Sequence, residues 1–200
     1  YQPSRGLGDV YKRQPLYVSK SKDIENLATD LGVSIPEHPP SELEWSAMKS
    51  QARGVVSLSE RLLLNEQATK ELANSYVPSL SSLIGPLGAA RMVVLAGGRE
   101  RLARMPSGSL QVLGASGAMA AHRRGAPPPK HSPVLFSMPL VSRSPRWVRG
   151  KIARFLAGKC SIAVRIDHFG GQTWDEEQIK KIHREAESIR DRFPLPPKRG

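Results

Sequence analysis

The sequence predicts an all-α protein in which a partial coiled-coil helix is followed by a compact helical domain. Apolar residues recur three or four positions apart over several long segments, and Gly or Pro bounds nearly every one of them. The hydrophobic fraction is 39% while aromatic residues make up only 6%, which favours helices over a sandwich or a barrel. A length of 200 residues allows one large domain or two small ones.

Positive charge is concentrated in one part of the chain. The formal net charge is +12, but residues 91–165 alone contain fourteen Lys and Arg against the single acid Glu100. A field of this kind attracts polyanions, and neutralising phosphates is its usual role. A solvated face that only keeps a protein soluble is the alternative, but the scarcity of acids argues against it. We therefore predict nucleic-acid binding within this segment.

The sequence offers little that could support catalysis, a metal site or membrane insertion. Cys160 is the only cysteine and lies in an apolar helical pattern, which indicates a reduced core thiol. His and Cys do not have zinc-ligand spacing, and the chain lacks a Gly-rich phosphate-binding or dinucleotide motif, so we predict no metal and no cofactor. Because no run approaches the roughly 18 apolar residues of a membrane span, we expect a soluble, intracellular protein.

Residues 1–14 do not fit the pattern of the rest of the chain. Their sequence, YQPSRGLGDVYKRQ, resembles translated adaptor read-through at the end of a sequencing contig. We interpret residues 1–14 as non-native and expect the natural protein to extend further upstream. Residues 15–40 are predicted to form a short helix, over 20–31, and a linker that begins at Gly32 and contains several prolines.

A long coiled-coil helix is predicted over residues 41–77. Ser41 and Glu44 have the spacing of a capping box, and Pro78 stops the pattern. A helix of roughly nine turns suits a coiled-coil arm that could dimerise. Polar residues in the seam leave an ordinary amphipathic helix on a core as the alternative. The heptad-like register is formed by Met48, Val55, Leu58, Leu62, Leu72 and Tyr76, with Gln51, Asn65 and Thr69 at the remaining seam positions.

Residues 78–170 are predicted to form the compact helical domain. The first part reads as three closely packed helices, over 79–96, 99–105 and 109–121, separated by Gly97-Gly98 and by Pro106. A stiff cationic loop follows, containing Arg123, Arg124 and Lys130 among glycines and prolines.

The domain ends in a strongly basic helix. Ser144 is predicted to cap it, with Pro145 in its first position. Arg154 and Arg165 lie opposite its apolar face, whereas Lys159 falls on that face and needs a partner there. Residues 171–200 are predicted to form a last amphipathic helix, over 175–192, and a Pro-rich basic tail.

Several short segments between residues 77 and 169 occur in a distinctive order. They are 77–87, 96–98, 102–106, 113–115, 129–131, 139–141, 149–154 and 163–167. In this order they resemble the Nop family of box C/D ribonucleoprotein scaffolds, over nearly half of the chain. The short acidic helix and the ending Pro-Pro-Lys-Arg resemble archaeal members in particular.

The resemblance implies a non-catalytic scaffold in guided 2′-O-methylation of rRNA or tRNA. Its partners would be a box C/D guide RNA with a kink-turn, a small ribosomal-protein-like protein bound to that kink-turn, and the methyltransferase fibrillarin. The family's fibrillarin-binding domain and the first half of its coiled coil should precede this segment, so we expect fibrillarin to be bound only through that missing domain. The protein would be cytoplasmic in an archaeon and nucleolar in a eukaryote.

The resemblance also implies where RNA and protein partner would bind. The apolar surface of Leu113, Gly114 and Ala115 would face the protein partner. Phosphates would be met near the start of the basic helix and from the cationic loop. The residues predicted to contact RNA are Ser116, Gly117, Arg123, Arg124, Lys130, Ser137, Arg143, Arg146, Arg149, Lys151, Arg154 and Lys159.

The chain departs from the family pattern at two places in this surface. Ser116-Gly117 stands where the family commonly has Glu-Lys, so a charged pair is missing from the turn that would face RNA. Ser137 stands at a position that is often His or Gln in relatives.

Three alternatives remain from the residues alone. An enzyme acting on nucleic acid is disfavoured, because the basic region has neither a carboxylate pair nor a nucleophile motif. A splicing factor of the same fold would bind a related RNA without guiding methylation. A generic basic module would bind any RNA through charge alone.

Overall fold

The structure of the protein, a computed structural model, describes residues 14–197, and these contain helices and no strand. The predicted all-α class is therefore confirmed. The interpretation of residues 1–14 as non-native falls outside the described residues, apart from Gln14. The chain divides into two compact units, residues 1–66 and 67–200, so the division lies inside the long helix.

The described part of the first unit contains two short helical segments and the beginning of the long helix. Residues 14–20 are helical, and α1 spans Ile24–Leu31. The predicted helix over 20–31 starts later than expected, because the Asp23 side chain caps α1 by accepting a hydrogen bond from the Asn26 N–H. Gly32, with φ of 65°, ends α1 as predicted.

The long helix α2 spans Glu42–Tyr76. Its capping box is present: the Ser41 N–H donates to Glu44 Oε2 at 2.8 Å, and the Glu44 N–H donates to Ser41 Oγ at 3.4 Å. Within the first unit the apolar seam residues Met48, Val55, Leu58 and Leu62 are at least 43% exposed. This exposure disfavours the alternative of an ordinary helix lying on a core, while dimerisation of the arm stays a prediction.

The second unit is a bundle of short helices around one central helix. The central helix, α10, spans Arg146–Phe169 and contacts helices before and after it in sequence. The other bounds are α3 Pro78–Ile84, α4 Pro86–Ala96, α5 Arg99–Arg104, α6 Ser107–Gln111, α7 Ser116–Arg123, α8 Pro133–Phe136, α9 Pro139–Ser142 and α11 Glu176–Arg192.

The core of this unit lies around the apolar face of α10. Ile152 and Leu156 on α10 are at most 1% exposed, and Leu80, Leu102 and Leu110 from three other helices are equally buried. Helix α11 packs against the same core through Ile179 and Ile182, and an Asp175–Gln178 capping box marks its start. The opposite face of α10, which carries its cations, therefore lies at the surface of the unit.

Two predicted helices are each broken into two, and both predictions were wrong in the same way. The helix expected over 79–96 breaks at Gly85, with φ of 82°, because Pro86 has no N–H to continue the ladder. The resulting α3 and α4 are bent by 118°. The helix expected over 109–121 is interrupted by a turn in which Gly114 has φ of 81°.

The predicted cap of α10 was also wrong. Ser144 lies outside the helix, and its hydroxyl donates to the Leu140 carbonyl at 2.7 Å instead of capping. Pro145 occupies the cap position without a side-chain hydrogen bond. The reason is that the helix begins at Arg146, one residue later than predicted, which leaves Ser144 in the preceding turn.

Among residues 14–197, no single helix is long and apolar enough to cross a membrane, although the bent pair α3 and α4 meets that requirement when the two are taken together. Within the same residues, no three His, Cys, Asp or Glu side chains are grouped so that they could hold a metal ion.

Candidate nucleic-acid interface

An open groove of about 440 Å³ lies beside the N-terminal half of α10. Every residue that lines it is neutral or cationic, and its cations are Lys130, Lys151 and Arg154. The lining residues come from α6, from the Pro-rich loop and from α10; they are Gln111, Val112, Pro128, Pro129, Lys130, Trp147, Gly150, Lys151 and Arg154. We refer to this set as the cationic groove. It brings together three of the cations that the sequence predicted as RNA ligands.

The loop and α10 meet closely at Gly150. A Cβ placed on Gly150 would lie 3.2 Å from the Cβ of Lys130, which is tighter than an ordinary contact. Glycine within a helix costs about 0.5–1 kcal/mol relative to alanine, so its presence here is explained by the approach of the loop. Gly150 therefore lets Lys130 stand next to Lys151 at the groove.

Gln111, which the sequence analysis did not single out, joins the walls of the groove. Its Nε2 donates to the Lys130 carbonyl at 2.7 Å and lies 3.5 Å from the Gly150 carbonyl. Its Oε1 lies 3.5 Å from Arg154 Nε, a long contact by hydrogen-bond standards. The partners are 19, 39 and 43 residues away along the chain, so spacing alone gave no signal for this role.

The segment after α11 contacts two residues of the cationic groove, Trp147 and Lys151. The Trp147 Nε1 donates to the Phe193 carbonyl at 3.0 Å, which fixes the indole edge. The Lys151 ammonium lies 4.2 Å from the centre of the Phe193 ring, within cation–π range. Trp147 is half-buried, and Lys151 remains exposed enough to meet a phosphate.

Arg149 is engaged within the protein. Its Nε donates to the Ser144 carbonyl at 2.8 Å and its terminal nitrogen to the Ser142 carbonyl at 3.0 Å. The guanidinium also lies 5.4 Å from the Phe136 ring centre, and the same ring stacks with His131 at 4.8 Å between centroids. Arg149 thus stabilises the turn before α10 through these contacts.

Other predicted RNA residues lie outside the cationic groove. Arg123 and Arg124 are exposed at the end of α7, and Arg146 is exposed at the start of α10. Arg143 lines a separate cavity of about 200 Å³ with Arg190 of α11. These cations add to the positive field without sharing one pocket.

Lys159 has an acidic partner, as expected for a lysine on the apolar face of the helix. Its ammonium lies 3.3 Å from Glu185 Oε2 of α11 and 5.2 Å from the centre of the Phe155 ring. Its side chain is only 29% exposed. Lys159 is therefore placed as part of the contact between α10 and α11.

The small polar residues predicted to meet RNA are exposed. Ser116 and Gly117 form the first turn of α7, where a Cβ on Gly117 would have open space around it. The Ser137 hydroxyl donates to the Val134 carbonyl at 2.6 Å, which leaves its oxygen lone pairs available.

The predicted protein-partner residues differ in their exposure. Leu113 is half-buried against the core and Ala115 is 8% exposed, so Gly114 is the one exposed residue of these three. A Cβ on Gly114 would lie 2.8 Å from a methyl group of Leu95. Leu95 and Val94, at 48% and 77% exposure, are the apolar surface that the sequence analysis missed. Gly114 and both of these side chains line an apolar groove of about 500 Å³.

Burial keeps the cysteine out of any chemistry at this surface. Cys160 is 0% exposed on the core side of α10, and desolvation raises the pKa of its thiol to about 12. The thiol is therefore protonated at neutral pH and cannot act as a nucleophile. This agrees with the core thiol predicted from the sequence.

The fold and the cationic groove define a class of protein: an all-α protein whose larger unit presents cations and an aromatic side chain in one open groove. The family model described as snoRNA binding domain, fibrillarin matches residues 14–188. That match covers most of the chain, and the chain belongs to the Nop family, as its sequence predicted.

Relatives from archaea and eukaryotes agree with this assignment. An uncharacterised NOP5 family protein of Methanocaldococcus jannaschii is 45% identical over 128 residues, or 64% of this chain and 30% of the relative. Nucleolar protein 56 of Caenorhabditis elegans is 34% identical over 73% of this chain and 29% of the relative. The human nucleolar protein 56 is 37% identical over 64% of this chain and 22% of the relative. The chain thus spans less than a third of the length of these relatives.

A solved structure has a similar fold. A crystal structure of a fibrillarin/Nop5p complex matches with a TM-score of 0.56 and 27% sequence identity. The match covers 93% of this chain and 66% of the other chain.

Proposed function

We propose that this chain is a non-catalytic RNA-binding subunit of a box C/D ribonucleoprotein. It binds a guide RNA at a kink-turn, together with a small ribosomal-protein-like protein that is already bound there, and so serves guided 2′-O-methylation of rRNA or tRNA. The observation that carries the proposal is the cationic groove, in which Lys130, Lys151 and Arg154 converge inside the region matched by the family model.

The groove suits an irregular RNA site better than a regular duplex. The deep, narrow major groove of A-form RNA cannot be read by side chains, whereas a kink-turn offers closely spaced phosphates and unstacked bases. Lys151 and Arg154 lie one helical turn apart on α10, and Lys130 approaches them from the loop. Three cations on two backbone segments can meet phosphates that a bend brings together.

The apolar groove around Gly114 is assigned to the kink-turn-binding protein. Val94 and Leu95 expose aliphatic surface there, and Arg91 is the charged residue of its lining. A protein surface is the better occupant for an apolar groove, since RNA phosphates require cations. RNA and protein would then be held on neighbouring surfaces of one unit.

Methyl transfer is assigned to fibrillarin. Among residues 14–197 no acid lines the cationic groove, and Cys160 is buried and protonated. Glu100, the acid of the basic segment, pairs with Arg104 at 3.1 Å. We propose that the protein is cytoplasmic if its source is archaeal and nucleolar if it is eukaryotic.

Salt titration of groove variants tests the RNA assignment. Lys151→Met and Arg154→Met should each weaken binding of a labelled kink-turn RNA and reduce the slope of log K against log salt by about one. Arg184→Met on α11, an exposed residue outside the basic segment, is the matched control and should leave the slope unchanged. Equal slopes for all four proteins would show that phosphates are met elsewhere.

A further inference from the structure

We propose that Gln111 is a positioning residue for RNA binding, which holds the Lys130 loop and Arg154 in place before RNA arrives. The inference rests on the proposed function, since it concerns the same groove. Gln111 is neutral and lies at the last position of α6, so its contribution would come from what it holds rather than from its own charge.

Gln111 contacts three parts of the cationic groove. Its amide nitrogen is bonded at 2.7 Å to the carbonyl of Lys130, on the loop, while the same nitrogen approaches the Gly150 carbonyl on α10. Its oxygen faces Arg154 Nε at 3.5 Å. One side chain thus links a loop backbone, a helix backbone and a cationic side chain.

The geometry leaves the cations themselves available. The bond to Lys130 uses the backbone carbonyl, so the ammonium group of Lys130 is not consumed by it. The contact with Arg154 uses Nε and not the two terminal nitrogens of the guanidinium, which retain donors for a phosphate. Gln111 therefore holds the backbone at Lys130 and faces the Arg154 guanidinium without neutralising either cation, which a carboxylate at the same position could not do.

Gly150 provides independent support for a tight junction. A side chain at position 150 would press on Lys130 at 3.2 Å, so the sequence keeps open the space that the Gln111 bond requires. Loops that carry binding residues are costly to order during binding, because each immobilised side chain and backbone bond loses entropy. A bond made in the free protein removes part of that cost.

Gln111→Met is the informative variant, because methionine keeps the length of the side chain and loses its donor and acceptor. It is compared with Arg154→Met, with the double variant and with the surface control Gln172→Met, all in the full chain. The first readout is the NMR chemical shift of the Lys130 carbonyl carbon without RNA, since this carbonyl accepts the Gln111 bond. The second is the affinity for a kink-turn RNA and for a plain duplex of equal length, with thermal unfolding as the check on folding.

The expected result has three parts. Gln111→Met shifts the Lys130 carbonyl carbon resonance, because the carbonyl loses its donor, while the melting temperature changes little. It lowers RNA affinity by about fivefold. In the Arg154→Met background the same change costs less than about twofold, because the two residues act together. Gln172→Met changes none of these quantities.

Two outcomes would overturn the inference. An unchanged Lys130 carbonyl resonance would show that Gln111 does not hold the loop, and fully additive affinity losses would show that it does not act through Arg154. Failure of the proposed function would give a different result. The wild-type chain would bind duplex and kink-turn RNA equally, and the coupling between Gln111 and Arg154 could still be measured from affinities for the duplex.

Discussion

Asp167, near the C-terminal end of α10, accepts a hydrogen bond of 2.9 Å from the backbone N–H of Ser79, which lies 88 residues earlier. Its second carboxylate oxygen accepts from the next N–H, that of Leu80, at 3.0 Å. These N–H groups belong to the first turn of α3, which has no side-chain cap of its own. One side chain of the central helix thus caps the helix at which the second unit begins its bundle.

Asp167→Asn tests this cap. The variant keeps the shape of the side chain but loses the charge and one acceptor oxygen, so we expect the free energy of unfolding to fall by about 1–2 kcal/mol. Urea unfolding monitored by circular dichroism measures the change. Asp191→Asn, at an exposed position of α11, is the control, and an equal loss in the two variants would contradict a capping role.

Lys159 is expected to matter for packing and not for RNA. Because its ammonium is paired with Glu185, Lys159→Met should leave the affinity for kink-turn RNA within about twofold of wild type. Lys151→Met, at an exposed cation of the groove, is the comparison and should lose about tenfold. Similar losses of RNA affinity in fluorescence anisotropy titrations of both variants would mean that Lys159 contributes to RNA binding.

The long elements of the fold could be predicted from the sequence because their signals are local. The Ser41–Glu44 box marks a helix start within four residues, and the structure contains it. The breaks at Gly85-Pro86 and at Gly114 were missed because apolar spacing continues across each of them. Only the bundle decides whether such a glycine turns the chain.

The charge of the candidate site could be predicted from the sequence, but its geometry could not. Charge counting found Lys130, Lys151 and Arg154, since a cluster of cations without acids is visible in one dimension. Gln111 and Phe193 could not be found this way, because each acts through contacts with residues far away in the sequence. The glycine at position 150, inside a helix, was the one local signal that a second segment approaches there.

Restoring the charged pair of the family tests the first turn of α7. Ser116→Glu with Gly117→Lys, the pair that the family resemblance implies, should bind kink-turn RNA more tightly, because the lysine adds a cation at a turn expected to face RNA. The open space around Gly117 accepts the larger side chain. Gly117→Ala is the control that gains helix propensity without charge. Unchanged affinity in the charged variant would show that this turn does not touch RNA here.

Cys160 makes stability depend on pH in the alkaline range. Burial raises the pKa of its thiol from 9.0 to about 12, so above pH 9 the unfolded chain loses this proton while the native state keeps it. The contribution is fully present below pH 9 and is lost as the pH rises towards 12, by about 1.4 kcal/mol for each unit.

The pH dependence is isolated by comparison with Cys160→Ala. The variant should be less stable at pH 7, because it leaves a cavity, but its stability should fall less than that of the wild type between pH 9 and 10.5. Urea unfolding at several pH values measures both curves, in which all other titrating groups are shared. Parallel curves would mean that the Cys160 thiol ionises in the native state.

The most direct test of the central claim is a mobility shift of the chain on a box C/D kink-turn RNA, with and without the kink-turn-binding protein, over a salt series and against a plain duplex. We predict a complex on the pre-bound kink-turn that survives moderate salt, with weaker binding to the duplex. If all RNAs bind equally and are released together as salt rises, the cationic groove is a general polyanion surface and the proposed recognition is wrong.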